Sequence, residues 1–413
     1  MPFSEAQILQ HQLFRIKHTE LNEIFLVMSL RSFVCAMVSI FVPIYLFLLG
    51  YSLRDILLLN LIMFIVEFAF EYPSALIRTE LGPKHAIALS LPPLLAHFWL
   101  LATIQTYHWP LWFPAVCGGI ALALYWQGYH YDFSKSKHKG QATRDVSRMY
   151  IILAILGAIA PFVGSSIATY FGFNVLYLIV ILALGFVFIP LLKQSEKHTA
   201  KKLRINRIKV GSILQDMISY GGSGIDASIA IVIWPLFVFA IVKNYQSVGL
   251  ITSLALVLTI AVTYMVGKKV TNGNRHAYIK ASSYLDGIVY TLLVFVETFI
   301  QVASLNIVRS LASALRSAPF VSEYYLHADE QSRSEYILFM EASIDFFRII
   351  MFSTLIGLTY ILPDRGVLAA GLFAGAIGAI MTSFMPKAKC ELPVCELASI
   401  HMTPKLRPKN ATN

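Results

Sequence analysis

A chain of 413 residues that is 57% hydrophobic and only 14% charged, with a mean hydropathy of +0.66, lies outside the composition of soluble domains and reads as a polytopic membrane protein. Its net charge of +10 does not indicate nucleic acid, because most Lys and Arg collect in alternate loops, as the positive-inside bias of membrane proteins requires. Cysteine supplies no framework: Cys35 and Cys117 fall in apolar runs, and Cys390, Cys395 and His401 lack zinc-site spacing, so no metal and no cofactor is expected.

In chain order, residues 8–22 read as a helix on the membrane surface, since Glu5 and the missing cleavage site argue against a signal peptide. Runs of the length that crosses hydrocarbon follow at 24–47, 53–77, 86–105, 110–130, 148–170, 174–193, 213–240, 246–266, 280–300, 302–326, 336–361 and 366–385, twelve in all. The ninth and tenth run together near Gln301. With the N-terminus inside, only Arg54, Lys243 and Arg365 fall in outside loops, and Arg31, Arg309, Arg316 and Arg348 fall within spans. Both termini are therefore expected on the cytoplasmic side, where Asn410-Ala411-Thr412 never meets a glycosyltransferase.

The first span carries Arg31, and the second carries Glu67 and Glu71 on one helical face. At 1.5 Å per residue Arg31 and Glu71 lie at similar depths, roughly 9–11 Å from the same surface, so Arg31 is expected to pair with these acids. The second span ends in PSALIRTELGPK, where Pro73 lies near a helix end, Gly82 makes a turn and Lys84 is held cytoplasmically. Tyr125, Trp126, Gln127, Tyr129 and His130 crowd the fourth span. The fifth holds GAIAPFVGSS, in which Gly157, Pro161 and Gly164 allow close helix approach and a bend. In the seventh, Asp226 follows YGGSG, a stretch expected to loosen the helix. Arg309 and Arg316 of the tenth are seven apart and share a face. Glu341 or Asp345 of the eleventh is the expected partner of Arg316.

KQSEKHTAKKLRINRIKVG, residues 193–211, is the longest polar interruption and divides the spans six and six. The expected organisation is an N-terminal six-helix half over 1–193, a basic cytoplasmic linker over 194–212, a C-terminal six-helix half over 213–386 and a cytoplasmic tail over 387–413. A weak internal repeat agrees. YHYDFSKSKHKGQATRDVSRMYIILAILG and SEYYLHADEQSRSEYILFMEASIDFFRII both run from Tyr and an acid (Asp132, Glu323) through a loop arginine (Arg144, Arg333) into an aromatic-led apolar run. Transporters built from two such halves bind substrate between them near the midplane.

PSALIRTELGPK resembles the second-to-third helix loop of the major facilitator superfamily, near P-[ST]-G-x-x-A-D-R-x-G-R-K. Pro73, Ser74, Leu81, Gly82 and Lys84 match, while Ala75, Thr79, Glu80 and Pro83 replace a glycine, the aspartate and two arginines. GAIAPFVGSS is similar to the G-x-x-x-G-P-x-x-G-G pattern of that family's antiporters, with Ala160 and Ser165 for glycines. VGKKVTNGNRHAYIK (266–280) occupies the equivalent eighth-to-ninth loop. Gln127-Gly128 has Leu124 where the family's R-x-x-Q-G needs arginine, and YHYDFSK aligns better with A-x-x-Y-D-S-L-K.

The resemblance implies an all-α membrane protein with twelve transmembrane helices in two pseudo-symmetric six-helix halves. Its first, fourth, seventh and tenth helices would line the central cavity, which selects Arg31, Tyr125, Trp126, Gln127, His130, Asp226, Arg309 and Arg316. Ionisable groups in hydrocarbon face the bundle interior, pair, or line water. The three arginines either favour a carboxylate or phosphate or are neutralised by structural partners. The aromatic group either stacks on a flat or cationic substrate or forms an interfacial belt. Asp226 is the first candidate for a coupling proton, with Glu67, Glu71 and Asp345 as further coupling or charge-pair residues.

The expected function is a secondary active transporter moving a small organic solute by alternating access, proton-coupled, with export ahead of uptake of an anionic metabolite. The expected setting is the inner membrane of a prokaryote, as a monomer in the lipid bilayer, with the solute and protons as partners and no nucleic acid. A non-transporting sensor or scaffold on the same fold is the alternative. Gly221-Gly222-Ser223-Gly224 matches the G-x-S-G of rhomboid proteases, but His276, His327 and His401 fall in loops or the tail and leave the serine without a base. Neither H-E-x-x-H nor a P-loop occurs, so no enzyme is expected.

Overall fold

Inside hydrocarbon every backbone N–H and C=O must be satisfied within its own segment, which leaves helices as the form available to runs like these. The computed structural model describes residues 20–136, 142–187, 200, 202–270 and 273–388. The expected surface helix therefore lies outside the described residues except for 20–22, which are the first turn of a longer helix. The expected tail over 387–413 and the first part of the linker also lie outside them, apart from isolated positions.

The described residues form twelve helical rods. These are α1 (Glu20–Ala36, resumed as Val42–Leu48), α2 (Leu53–Leu81), α3 (Pro83–Leu89 and Leu91–Tyr107), α4 (Trp112–Ser136), α5 (Ala142–Phe171) and α6 (Phe173–Val187). The second set is α7 (Val210–Ser228, a π-helical Ile229–Ile233, then Trp234–Val242), α8 (Tyr245–Lys269), α9 (Arg275–Leu293), α10 (Phe299–Glu330), α11 (Arg333–Leu358) and α12 (Asp364–Met381). Six of them, α1, α3, α5, α7, α8 and α12, are long and apolar enough to cross a membrane by length and composition alone. The others are short, as α6 is, or carry several ionisable side chains.

Sequence punctuation sets the ends. Ser52 caps α2 and accepts from the Asp55 N–H, while Asp55 accepts from the Ser52 N–H in return. Gly82 turns α2 into α3 at φ 103°, a conformation that suits a residue without Cβ, and Pro83 opens the next helix. Thr298 and Gln301 form a second capping box at the start of α10. The ninth rod consequently stops at Leu293 rather than running to residue 300.

Matched contacts relate the two sets. α2 packs along α4 as α8 packs along α10, α1 meets α5 as α7 meets α11, and α3 meets α6 as α9 meets α12. The sets join chiefly through α2 against α11 and α5 against α8. Gly164 of α5 lies against the Met37 carbonyl where α1 is interrupted, and Gly249 of α8 lies against the Pro161 carbonyl and Ser165. The fifth-helix pattern thus serves close packing on two sides.

YGGSG does not loosen α7. Gly221 faces the Phe347 ring, Gly222 faces the Gly378 carbonyl and Gly224 faces Ile344, so the missing side chains let α7 approach α11 and α12. The departure from α geometry comes one turn later, at Ile229–Ile233.

Candidate substrate cavity

Charged side chains gather in three places. In the C-terminal set, Arg316 of α10 pairs with Asp226 of α7 and, at 2.8 Å, with Asp286 of α9. Tyr290 of α9 donates to Asp226 Oδ1 at 2.6 Å, and Arg309 donates to the Tyr290 hydroxyl at 3.1 Å. Arg309 lies against the Trp234 and Tyr290 rings, and among the described residues no carboxylate is within ion-pair distance of it. The expected partners of Arg316, Glu341 and Asp345, do not reach it. Its depth on α10 faces α7 and α9, and both acids sit on α11.

In the N-terminal set, Arg31 stacks over the Tyr125 ring at 3.5 Å and has no ion pair with Glu67 or Glu71. Equal depth put these groups at one level but not on facing sides of α1 and α2. Glu71 instead accepts from the Gln127 amide, and Glu67 lies 3.5 Å from Arg348. Arg348 also holds Asp345 at 3.1 Å, which makes the third gathering a contact of α2 and α4 with α11.

Two adjoining cavities lie between the sets. The larger, about 410 Å³, is walled by α5, α7, α8 and α10 and presents Asp226, Arg309 and Arg316 together with Ser223, Thr259, Thr263, Ser310, Ser313 and Ser317. The smaller, about 240 Å³, shares Tyr150, Ser223, Ala227, Phe320 and Val321 with it and is aromatic, lined by Trp126, Tyr129, His130, Tyr220, Tyr324 and Tyr325. Trp126 stacks on His130, whose Nδ1 meets the Tyr325 hydroxyl at 3.0 Å and whose Nε2 is 3.5 Å from Glu341. Tyr129, Tyr220, Tyr324 and Tyr325 are buried, and Trp126 and His130 are half-buried beside them, so the group lines the bundle interior rather than a belt. Arg31, Tyr125 and Gln127 stand behind the walls rather than on them.

A still larger hollow of about 820 Å³ opens among Phe47, Phe239, Lys243, Glu297 and Arg365 at the end of the rods expected to face outward. Its wall is mainly apolar and its Arg365–Glu297 pair is exposed, so it forms a mouth rather than a binding site. At the opposite end the sets are shut. Arg78 of α2, fully buried, donates to the Ser334 carbonyl at 3.1 Å and hydroxyl at 2.9 Å, and Phe133 of α4 packs on Tyr325 of α10. Lys84 is buried beside the Gly82 turn, and Arg275 of the equivalent loop pairs with Glu323 at 3.0 Å.

Sequence reasoning misses Asp286, Tyr290 and Tyr325, and it places Arg348 within a span without giving it a role in the site. Asp286 satisfied the criterion used for the others, an acid within a span; selecting only the first, fourth, seventh and tenth helices passed over it.

Twelve rods in two matched sets, with a polar cavity closed at one end and a mouth at the other, define the fold of major facilitator transporters. No family model and no curated protein matches the sequence. Among solved structures the chain is similar to the crystal structure of the human organic anion transporter MFSD10 (TETRAN), with a TM-score of 0.61 over 88% of this chain and 98% of that one, at 9% identity. An identity that low carries the fold and leaves the cargo to the site.

Proposed function

We propose that this chain is a secondary transporter, not an enzyme, moving small amphipathic organic anions by alternating access between its two halves. The observation that carries the reading is Arg309, a cavity-lining guanidinium with no carboxylate at ion-pair distance among the described residues. A guanidinium forks onto carboxylate, sulfonate or phosphate oxygens, and the surrounding serine and threonine hydroxyls supply further donors. The aromatic chamber next to it takes the apolar body of the same solute. A structural neighbour described as an organic anion transporter supports this choice of charge.

Proton coupling follows from a charge count in this reading. Asp226 and Asp286 share Arg316 beside Arg309, so an anion seated on Arg309 brings a third negative charge to the group, which one aspartate offsets by taking up a proton. Direction is set by the imposed gradients; export is the reading taken from the fifth-helix pattern, and uptake of an anionic metabolite uses the same cavity. With both termini cytoplasmic in this reading, six loops lie outside and five inside, and Lys243 and Arg365 fall at outside loops.

The test is flux in proteoliposomes with an imposed pH gradient, using matched panels of organic anions and lipophilic cations. Anion flux is expected, with a loss of tenfold or more in Arg309→Gln and partial retention in Arg309→Lys. Flux of the cation panel alone, or full anion flux in Arg309→Gln, refutes the reading.

A further inference from the structure

A dense group of buried charge lies where α2 of one half meets α11 of the other, beside the aromatic chamber that Glu341 and Arg348 help to line. Glu67, Glu71 and Asp345 are all buried, and each offers a carboxylate oxygen within 4.8 Å of the other two. One guanidinium, Arg348, reaches the group. Glu341 stands close by, bonded to Tyr324 and facing His130. Arg31 and Arg78 are within electrostatic reach of the acids but are held by Tyr125 and Ser334. Three carboxylates therefore meet a single cation at contact distance, an arrangement that costs free energy unless something positive joins it.

A second observation says what that is. Gln127 is fully buried and its Nε2 donates to Glu71, while its Oε1 has no hydrogen-bond partner. Glu71 Oε1 and Asp345 Oδ2 also have none. Among Glu67, Glu71, Asp345 and Gln127 every atom without a hydrogen-bond partner is thus an oxygen acceptor, Glu67 Oε2 included, while the unpartnered N–H donors nearby belong to Arg31 and Arg78. A shared proton joins two oxygens, whereas a hard metal ion gathers six or more at once. A half-turn of the Gln127 amide exchanges its nitrogen for its oxygen and presents a neutral fourth ligand to the carboxylates.

We propose that Glu67, Glu71 and Asp345, with the side-chain carbonyl of Gln127, bind a hard metal cation of the sodium, magnesium or calcium class. The all-oxygen donor set selects that class over softer metals. Because the ligands come from α2, α4 and α11, the bound ion ties the two halves together beside the closed end. The site stands or falls independently of what the cavity carries, because binding is read on the purified protein without transport.

The experiment uses the full chain in detergent, followed by thermal unfolding in choline chloride and then in titrations of Na⁺, Mg²⁺ or Ca²⁺ at constant ionic strength and pH. A saturable rise in Tm with at least one of these ions is expected, since a ligand bound to the native state alone stabilises it. Glu71→Gln and Asp345→Asn should abolish the rise. Loss of a buried carboxylate alters folding in its own right, so Gln127→Leu and Gln127→Glu form a second pair that leaves all three acids in place. They should weaken and tighten half-saturation, each by tenfold or more. A Tm that follows pH and none of the three ions overturns the site and assigns the cluster to shared protons. An ion response unchanged in all four variants overturns it by placing the ion elsewhere.

Discussion

Replacing Arg316 by methionine keeps an unbranched apolar stem and removes the one cation that Asp226 and Asp286 both contact. Asp286 has no solvent exposure at its side chain, and breaking a buried pair by deleting one member costs about 3–5 kcal/mol. At about 1.4 kcal/mol per factor of ten, that is a loss of two to three and a half powers of ten in the folding equilibrium. The two acids should not suffer equally. Asp226 keeps its 2.6 Å bond from Tyr290, whereas Asp286 keeps no comparable donor. In the Arg316→Met background, Asp286→Asn should therefore recover more stability than Asp226→Asn, and the triple neutral variant should recover most of it. The assay is denaturant or thermal unfolding of monodisperse protein in detergent, analysed as a mutant cycle. A cost for Arg316→Met below about 1 kcal/mol, the range of exposed pairs, or losses that simply add across the cycle, refutes the reasoning.

Two glycines of one sequence pattern should behave oppositely: Gly164→Ala drives a methyl into the Met37 carbonyl and should cost about 1–3 kcal/mol or more, while Gly157→Ala, whose nearest foreign atom would be Leu256 Cδ1 at 3.6 Å, should be neutral in the same unfolding measurement. Thr298→Ala removes the cap of α10 and should cost about 1 kcal/mol, with Thr298→Ser restoring it. Cysteine placed at Lys243 or Arg365 should react with an impermeant reagent added outside intact cells, and cysteine at Lys268 should not; the reverse labelling pattern inverts the expected topology.

The architecture was legible because it rests on two coarse properties, run length and the placement of polar loops, which survive without any detail of packing. Span ends are less so: in the sequence α9 and α10 run together near Gln301, and the structure parts them at a capping box of Thr298 and Gln301, a four-residue signal lying inside an apolar stretch. The site divides in the same way. Arg309, Arg316, Asp226, Trp126 and His130 could be found because an ionisable or polar-tipped group in a span is costly wherever it sits, and all five line the two cavities. Their partners could not be found. Depth along a helix follows from counting residues, but azimuth depends on how each rod is rotated against its neighbours. Arg31 was accordingly matched by depth to Glu71, whereas rotation delivered it to Tyr125. Arg316 was matched to α11, whereas rotation delivered it to α7 and α9. The glycines of YGGSG mark the same limit, since flexibility and close approach ask for the same residue.

The π-helical turn at Ile229–Ile233 divides α7 into two sections that answer to different neighbours. Each α-helical residue advances about 100°, so one extra residue in a turn offsets everything beyond it by that angle. On the inner side of the turn, Gly221, Gly222 and Gly224 press the helix against α11 and α12, and Asp226 is tied to Arg316 and Tyr290. On the outer side, Trp234–Val242 leads to Phe239, whose ring meets Phe47 of α1 across the mouth at 6.3 Å. The contact of Phe239 with Phe47 therefore depends on that single turn, whereas the bonds of Asp226 lie before it. One helix thus carries its charge pair and its aromatic contact on two sections set out of register with each other.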